Sequence, residues 1–165
     1  AGSRGSVVPL FDQLISKGAD SLPITHENMT RFWITLQEGV DFVLKNLERM
    51  QGGEIFVPKI PSIRIVDLAK AMAKDLSIKI IGIRPGEKLH EEMIGEDDSI
   101  YTYEYDDYYK ILPAINNWST SKELIKNGKR VEAGFSYTSD NNEEWMSIDT
   151  LQAWVKNNKN KIGKI

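Results

Sequence analysis

An apolar run that ends in a turn constrains the fold of this 165-residue chain more than any other feature. The run extends over residues 78–83, and Pro85 and Gly86 follow almost at once. A short uninterrupted apolar run is typical of a buried strand, and Pro-Gly is typical of a turn. We therefore predict a buried strand that leads into a turn. The apolar residues within 89–94 share one helical face, and they predict a short helix after the turn.

Arg84 and Glu87 enclose this turn, so a guanidinium and a carboxylate are expected side by side. A guanidinium binds phosphate oxygens through two parallel hydrogen bonds, and a carboxylate accepts hydrogen bonds from ribose hydroxyls. The pair is therefore a candidate nucleotide site. The alternative is an ordinary surface ion pair between Arg84 and Glu87, which is common and contributes little to stability. The residues alone leave both interpretations open.

A second candidate site lies near the N-terminus, where small residues precede a predicted helix. Ser6 is suited to cap this helix, Pro9 fits its first turn, and an apolar stripe continues as far as Gly18. The preceding residues supply free N–H groups and one cation, Arg4, to a helix N-terminus, where a phosphate or a sugar hydroxyl is favoured. A plain capped turn is the alternative.

Short strands and an amphipathic helix are predicted next. Residues 22–25 and 29–34 read as a hairpin around a three-residue turn. Thr35 and Glu38 form a capping box that opens a helix, and we expect its apolar stripe to be buried. The stripe contains Leu36, Val40, Val43, Leu44, Leu47 and Met50.

Two further helices and one strand are predicted later in the chain. Apolar periodicity indicates helices over residues 66–74 and 148–155. Tyr101, Tyr103 and Tyr105 alternate with polar residues, which predicts an exposed or edge strand.

Composition excludes several classes of function. The net charge is −3 and the basic residues are dispersed, which argues against a nucleic-acid partner. The chain has no Cys, so disulfides and thiol catalysis are excluded. No apolar run approaches the roughly 20 residues that span a bilayer. With 41% hydrophobic residues, enough for a core, we expect a soluble, cytoplasmic protein with no membrane partner.

Three motifs occur in an order that resembles one enzyme family. They are Gly2-Ser3-Arg4-Gly5-Ser6-Val7-Val8-Pro9, the stretch from Gly53 to Ser62, and Arg84-Pro85-Gly86-Glu87-Lys88-Leu89-His90-Glu91. The chain resembles, from Gly2 to about Trp145, the C-terminal part of the inverting UDP-N-acetylglucosamine 4,6-dehydratases. These enzymes belong to the extended short-chain dehydrogenase/reductases. Three motifs in the family's order are more specific than any one of them alone.

The resemblance implies a fold and a division of the chain. The fold class is α/β, as the C-terminal part of an extended Rossmann-type short-chain dehydrogenase/reductase with a small mixed substrate-binding subdomain. Residues 1–112 would contain the sheet and helix elements and the UDP-sugar-binding subdomain. Residues 113–165 would form a C-terminal extension with a terminal helix.

The resemblance also implies a reaction. Bound NADP takes hydride from C4 of UDP-N-acetylglucosamine, water is eliminated across C5 and C6, and hydride returns to C6 with inversion at C5. Members of the family act in pseudaminic acid synthesis for flagellin glycosylation and in surface polysaccharide synthesis. The full-length protein would be a homo-oligomer.

The resemblance also implies which residues lie at the site. One of them, Arg31, could instead belong to a structural ion pair. The residues implied near the UDP-sugar are Arg4, Gly5, Ser6, Val7, Thr25, Met29, Arg31, Arg84 and Glu87, and those implied near the cofactor are Gly2, Ser3 and Arg4.

Two features of a complete enzyme of this kind are absent from the sequence. No Gly-x-Gly-x-x-Gly motif is present to seat a pyrophosphate, and no Tyr has Lys four residues later. We therefore expect no catalytic residue in this chain, NADP bound mainly by a missing N-terminal half, and no activity from the chain alone. The alternatives are a non-catalytic interaction module and a fragment of a related sugar-nucleotide epimerase.

Overall fold

This computed structural model describes residues 6–115 and 121–159. These residues divide into two compact units built from interleaved segments of the chain. The first unit contains the described residues up to 36, residues 61–91, and those from 139 onward. The second unit contains residues 37–60 and the described residues of 92–138.

Three helices and four strands form the first unit. They are α1 (Val7–Ser16), β1 (Ser21–Ile24), β2 (Thr30–Phe32), β4 (Ser62–Arg64), α3 (Ile65–Met72), β5 (Ser77–Ile80) and α5 (Ile148–Asn158).

The second unit contains most of helix α2 and the remaining strands. Its elements are α2 (Leu36–Leu47, of which the first residue belongs to the first unit), β3 (Ile55–Pro58), β6 (Glu92–Ile94), a 3₁₀ helix (Glu96–Tyr101), β7 (Thr102–Glu104), β8 (Tyr108–Ile111), α4 (Lys122–Ile125), β9 (Lys129–Arg130) and β10 (Tyr137–Thr138).

The core of the first unit lies among its helices and strands. Phe11 of α1, Leu68 of α3 and Leu151 of α5 are fully buried. The Trp33 and Trp154 rings meet edge to face, with their centres 4.8 Å apart. Apolar residues at helical spacing therefore form one core, and the helices predicted over 66–74 and 148–155 are confirmed.

The predicted hairpin is wrong. Strand β1 pairs in parallel with β5, whereas β2 pairs antiparallel with β4. The turn itself forms, because the N–H of Met29 donates to the carbonyl of His26 at 3.2 Å. The next main-chain groups are then bonded elsewhere: the Met29 carbonyl accepts from Ile65 N–H, and Thr30 N–H donates to Leu89. Distant segments therefore take the hydrogen bonds that a hairpin would need.

The strand before the Pro-Gly turn forms, but it is not buried. β5 covers only Ser77–Ile80, and Ile80, Ile81 and Ile83 are exposed. Within residues 6–115 and 121–159 it pairs with β1 alone, so the apolar run lies at the edge of a two-stranded sheet. The short helix predicted over residues 89–94 is also wrong, because Glu92–Ile94 forms β6 and pairs with β10.

A four-stranded antiparallel sheet in the order β3-β8-β7-β9 forms the second unit's largest element. The Tyr-rich strand was predicted to be exposed or at an edge, and this is wrong for its central residue. β7 lies between β8 and β9, and Tyr103 is 6% exposed. Period-two alternation shows that two faces differ, but it does not show which strands lie on either side.

Helix α2 forms where the capping box predicts it, yet its apolar stripe is exposed. Leu44 and Leu47 are each 57% exposed, and the buried residue of the helix is Asn46. The predicted burial of this stripe is therefore wrong for the described chain. A helical period in the sequence determines which residues share a face. It does not determine which other element, if any, covers that face.

Candidate functional site

A cavity of about 450 Å³ opens in the first unit. It is bounded by the start of α1, the end of β1 and the segment into β2, and the turn after β5. These segments bring together seven of the residues implied by the resemblance. They are Ser6, Val7, Thr25, Met29, Arg31, Arg84 and Glu87. The other four, Gly2, Ser3, Arg4 and Gly5, lie outside the described residues.

The turn at Arg84 to Glu87 has the predicted position. The N–H of Glu87 donates to the carbonyl of Arg84 at 3.0 Å, and Gly86 has φ of +81°. Pro at the second position and positive φ at the third are the signature of a type II turn. Glycine adopts this φ without steric cost, which explains the Pro-Gly pair.

Arg84 and Glu87 do not form the alternative surface ion pair. Within the described residues, the Arg84 guanidinium has no hydrogen-bond or ion-pair partner. The Glu87 carboxylate accepts instead from the main-chain N–H of Arg84 and from the Thr25 hydroxyl, each at 3.2 Å. A carboxylate has about four lone-pair positions, so Glu87 retains acceptor capacity toward the cavity. Arg84 is exposed and lines the same cavity.

Arg31 is used largely within the protein. Its Nη1 donates to the carbonyls of Thr30 and Leu89 at 2.6 and 3.0 Å, and its Nη2 donates to Lys88 at 2.9 Å. Its Nε lies 3.8 Å from the Glu91 carboxylate. The guanidinium therefore fastens β2 to residues 88–91, as the structural alternative expects. A direct contact between Arg31 and a ligand stays a prediction.

Ser6 occupies the residue before α1, but its side chain does not cap the helix. Its φ and ψ are extended, as at an N-cap, yet Oγ accepts no hydrogen bond from the first turn. This oxygen is buried and has no partner among the residues that the structure describes. The predicted helix start is confirmed, while the predicted capping bond is wrong. A local motif fixes the residue type, and the side-chain rotamer decides whether the bond forms.

The apolar wall of the cavity was not predicted from the sequence as part of a site. Met29 and Trp33 line it and are 4% and 6% exposed, and Ile63 and Ile65 complete this wall. Strand alternation signalled burial of such residues, but nothing in the sequence signalled a nearby cavity.

Glu91 was also missed as a lining residue, although it lies within the Arg84 to Glu91 motif. Its carboxylate accepts from the main-chain N–H of Phe32 at 2.7 Å. Glu91 thus joins the end of the motif to β2, and its place within the motif was the available signal.

The arrangement combines a cation that no described residue pairs with, a carboxylate with free acceptor positions, and an apolar wall. Such a site suits a ligand with an anionic group and hydroxyls. Among the described residues, no group of three His, Asp or Glu side chains is placed to hold a metal ion. No helix in the described ranges has the length and hydropathy needed to cross a membrane.

Comparison with known proteins assigns the chain to a family. The profile of the polysaccharide biosynthesis protein family matches residues 1–113. The chain belongs to the polysaccharide biosynthesis protein family. One relative in this comparison, UDP-N-acetylglucosamine 4,6-dehydratase (inverting) of Campylobacter jejuni, is 60% identical over 155 residues. That alignment covers 91% of this chain and 46% of the relative.

Two further known proteins are also matched over about half of their length. UDP-glucose 4-epimerase of Rickettsia typhi is 34% identical over 168 residues, which cover 94% of this chain and 49% of the epimerase. The X-ray structure of Pen from Bacillus thuringiensis matches with a TM-score of 0.76 and 30% identity, over 94% of this chain and 45% of Pen. This match confirms the predicted α/β fold class of the extended short-chain dehydrogenase/reductase type. The chain thus spans about half the length of each of these proteins.

Proposed function

We propose that this chain is the UDP-sugar-binding part of an inverting UDP-N-acetylglucosamine 4,6-dehydratase. One observation carries the proposal: Arg84, whose guanidinium has no partner in the described part of the chain, and Glu87, whose carboxylate is held by Thr25, line the cavity at the start of α1. The 60% identity to a dehydratase of this name favours it over the epimerase alternative, for which the identity is 34%.

The roles of the residues follow from their chemistry. Arg84 binds the diphosphate, because a guanidinium forms two parallel charged hydrogen bonds to phosphate oxygens. Glu87 accepts hydrogen bonds from the ribose hydroxyls. Val7 and Ser6 lie toward the hexose, Thr25 holds Glu87 in place, and Met29 contributes apolar contact. Fixing the nucleotide in this way orients the hexose, which promotes reaction at bonds that these residues do not touch.

The 165 residues do not fit a complete NADP site. The sequence has neither a Gly-rich pyrophosphate loop nor a Tyr-x-x-x-Lys pair, and the predicted cofactor neighbours Gly2, Ser3 and Arg4 lie outside the described residues. We therefore assign no hydride or proton transfer to this chain. In the proposal, NADP is bound mainly by an N-terminal half of the full-length enzyme.

Two exposed apolar surfaces are consistent with such a half. In the second unit, the α2 stripe is exposed, with Val43 at 56% and Leu47 at 57%. In the first unit, Ile80, Ile81 and Ile83 are exposed along and after β5. The relative from Campylobacter jejuni is about twice as long as the matched segment. We propose that the full-length enzyme to which this chain belongs has an N-terminal half, and that this half covers both surfaces. Large exposed apolar patches mark interaction sites.

The biological setting proposed is cytoplasmic synthesis of pseudaminic acid or another surface-glycan sugar, by a homo-oligomer of the full-length enzyme. The alternative from another class of function is a non-catalytic interaction module. It predicts that no nucleotide binds in the cavity.

Calorimetric titration of the chain with UDP and with uridine tests the proposal. UDP should bind more tightly than uridine, because Arg84 contacts the diphosphate. Equal or absent binding of the two ligands would contradict the proposal and favour the interaction module. In a parallel assay with NADP and UDP-N-acetylglucosamine, the chain alone should form no 4-keto-6-deoxy product. Formation of that product would contradict the assignment of the chemistry to another half.

A further inference from the structure

A second cavity, of about 280 Å³, lies in the second unit. Its volume is just below the roughly 300–1,000 Å³ typical of ligand pockets, so it suits a small ligand. Three cationic side chains from separate segments line it: Arg49 after α2, Lys110 in β8 and Lys126 after α4. The resemblance and the comparisons assign no role to these residues.

Lys110 is the buried member of this group, at 5% exposure. Its Nζ donates to the carbonyl of Leu124 and lies 5.1 Å from the ring centre of Tyr105 and 5.7 Å from that of Phe56. In the described part of the chain, no carboxylate oxygen lies within 4.0 Å of this nitrogen. An ammonium has three N–H donors, so two have no oxygen or nitrogen acceptor among the described residues, although two aromatic faces and the charge of Glu54 lie near. A buried charge without an ion pair is costly, and an anion would offset this cost.

Lys126 has an unusual backbone. Its φ is +53°, and no other described non-glycine residue has a positive φ. Residues held in such conformations are found preferentially at functional sites. Lys126 lines the same cavity as Lys110, and its charge acts on that of Lys110. Burial, together with the charge of Lys126, holds the pKa of Lys110 below its ordinary value, although Glu54 opposes this effect.

Arg49 adds the third cation through an aromatic platform. Its guanidinium carbon lies 5.4 Å from the ring centre of Tyr108. Tyr108 in turn stacks on Tyr105, with ring centres 4.5 Å apart and planes inclined by 5°. Contact with an aromatic face positions the guanidinium, and its charge also acts on the neighbouring Tyr108 hydroxyl and Asp107 carboxylate. This charge adds to the lowering of the Asp107 pKa, and it opposes the rise that burial causes in the pKa of Tyr108.

Two carboxylates also line the cavity, and they differ in their partners. Asp107 forms an ion pair with Lys45 at 2.5 Å, and the pKa of Asp107 is lowered mainly by Lys45 and further by the charge of Arg49. Asp106 has no ion-pair partner in the ranges that the structure describes. Among the described residues that line the cavity, three cations therefore face two carboxylates, and Asp106 is the one that no ion pair balances.

We propose that this cavity binds a small oxyanion, a phosphate or a carboxylate, between Lys110, Lys126 and Arg49. The oxyanion accepts the two remaining N–H donors of Lys110 and pairs with the two more exposed cations. The lining residues of this site belong to the second unit, whereas those of the proposed UDP-sugar site belong to the first.

Lys126→Gly is the sharpest test, because glycine suits the positive φ of this position while the cation is lost. The chain is titrated separately with inorganic phosphate and acetate in an Arg84→Ala background, which removes the phosphate ligand of the first unit. Lys126→Gly should weaken oxyanion binding about tenfold or more, without loss of stability in chemical denaturation. Lys122→Ala, an exposed cation on α4 that does not line the cavity, is the matched control and should leave binding unchanged.

A variant that strengthens binding separates this proposal from a general effect on folding. Asp106→Asn removes the unbalanced carboxylate and should tighten binding about two- to fivefold. Binding of phosphate alone, or of acetate alone, identifies which oxyanion the site takes. Failure of both ions to bind, or equal affinities in Lys126→Gly and Lys122→Ala, overturns the proposal.

Discussion

The hydroxyl of Thr25 donates a hydrogen bond of 3.2 Å to Oε1 of Glu87, 62 residues later in the chain. The second carboxylate oxygen of Glu87 accepts from the main-chain N–H of Arg84 at 3.2 Å. Thr25 follows β1 and Glu87 closes the turn after β5, so the parallel pairing of β1 with β5 brings them together. The orientation of the carboxylate is therefore a product of the sheet as well as of the turn.

Thr25→Val should loosen this turn. Valine keeps the branched shape but removes the hydroxyl, and the lost hydrogen bond should lower the free energy of unfolding by about 0.5–1.5 kcal/mol. Thr25→Ser retains the hydroxyl and is the matched control. Chemical denaturation of the three proteins measures the difference. Equal stability of the valine variant and the unmodified chain would show that this bond contributes nothing.

Arg84→Ala should weaken UDP-sugar binding in the complete enzyme by about 1.5–3 kcal/mol, the scale of a lost charged hydrogen bond. Arg84→Lys should fall between the two proteins, because an ammonium lacks the planar fork that binds two phosphate oxygens. Lys88→Ala is the control, since Lys88 is exposed and does not line the cavity. Calorimetry gives the affinities, and an unchanged value for Arg84→Ala would reject the assigned role.

Glu54 should make stability depend on acid pH. Burial raises the pKa of its carboxyl, but hydrogen bonds from the main-chain N–H groups of Glu54, Gln51 and Gly52, together with the charge of Lys110, outweigh this effect and hold the pKa below its ordinary value. A lowered pKa in the folded state contributes stability above the unfolded value, and this contribution is lost as pH falls through the folded value.

Glu54→Gln should therefore flatten the fall in unfolding free energy below about pH 4.5. Chemical denaturation from neutral pH to about pH 3 measures this slope. Glu48→Gln, at an exposed carboxylate, is the control and should retain the slope of the unmodified chain. A Glu54→Gln profile that runs parallel to the original would contradict the prediction.

Substitution should lower the free energy of unfolding far more at Leu68 than at Leu44. Leu68 is fully buried, so Leu68→Ala should cost about 2–5 kcal/mol of unfolding free energy. Leu44 is 57% exposed on α2, so Leu44→Glu should change the stability of the chain by less than about 0.5 kcal/mol.

The Leu44→Glu variant should also associate less with itself, because the charge interrupts the exposed apolar stripe. Denaturation and analytical ultracentrifugation measure the two effects. In a full-length enzyme whose N-terminal half covers α2, the same substitution should become destabilising. An equal loss of stability for Leu44→Glu and Leu68→Ala in this chain would contradict the exposed position of α2.

The sequence allowed much of the local structure to be predicted, and seven of the residues that the resemblance implies line one cavity, while their contact with a ligand stays a prediction. Pro85 and Gly86 determine the turn, because a fixed negative φ followed by a positive φ is what this turn type requires. The capping signals and helical periods likewise located α1, α2, α3 and α5 within a few residues. These features depend on neighbours within about one helical turn, which is the range that a sequence pattern encodes.

Only the tertiary structure decided which surfaces are covered and which side chains meet. It paired β1 with β5 in place of a hairpin, left the α2 stripe exposed, and placed β7 between two other strands. It also turned Arg31 toward main-chain carbonyls and left Arg84 without a partner in the described residues. Burial and hydrogen bonding between distant segments depend on the arrangement of the whole chain, which local periodicity does not specify.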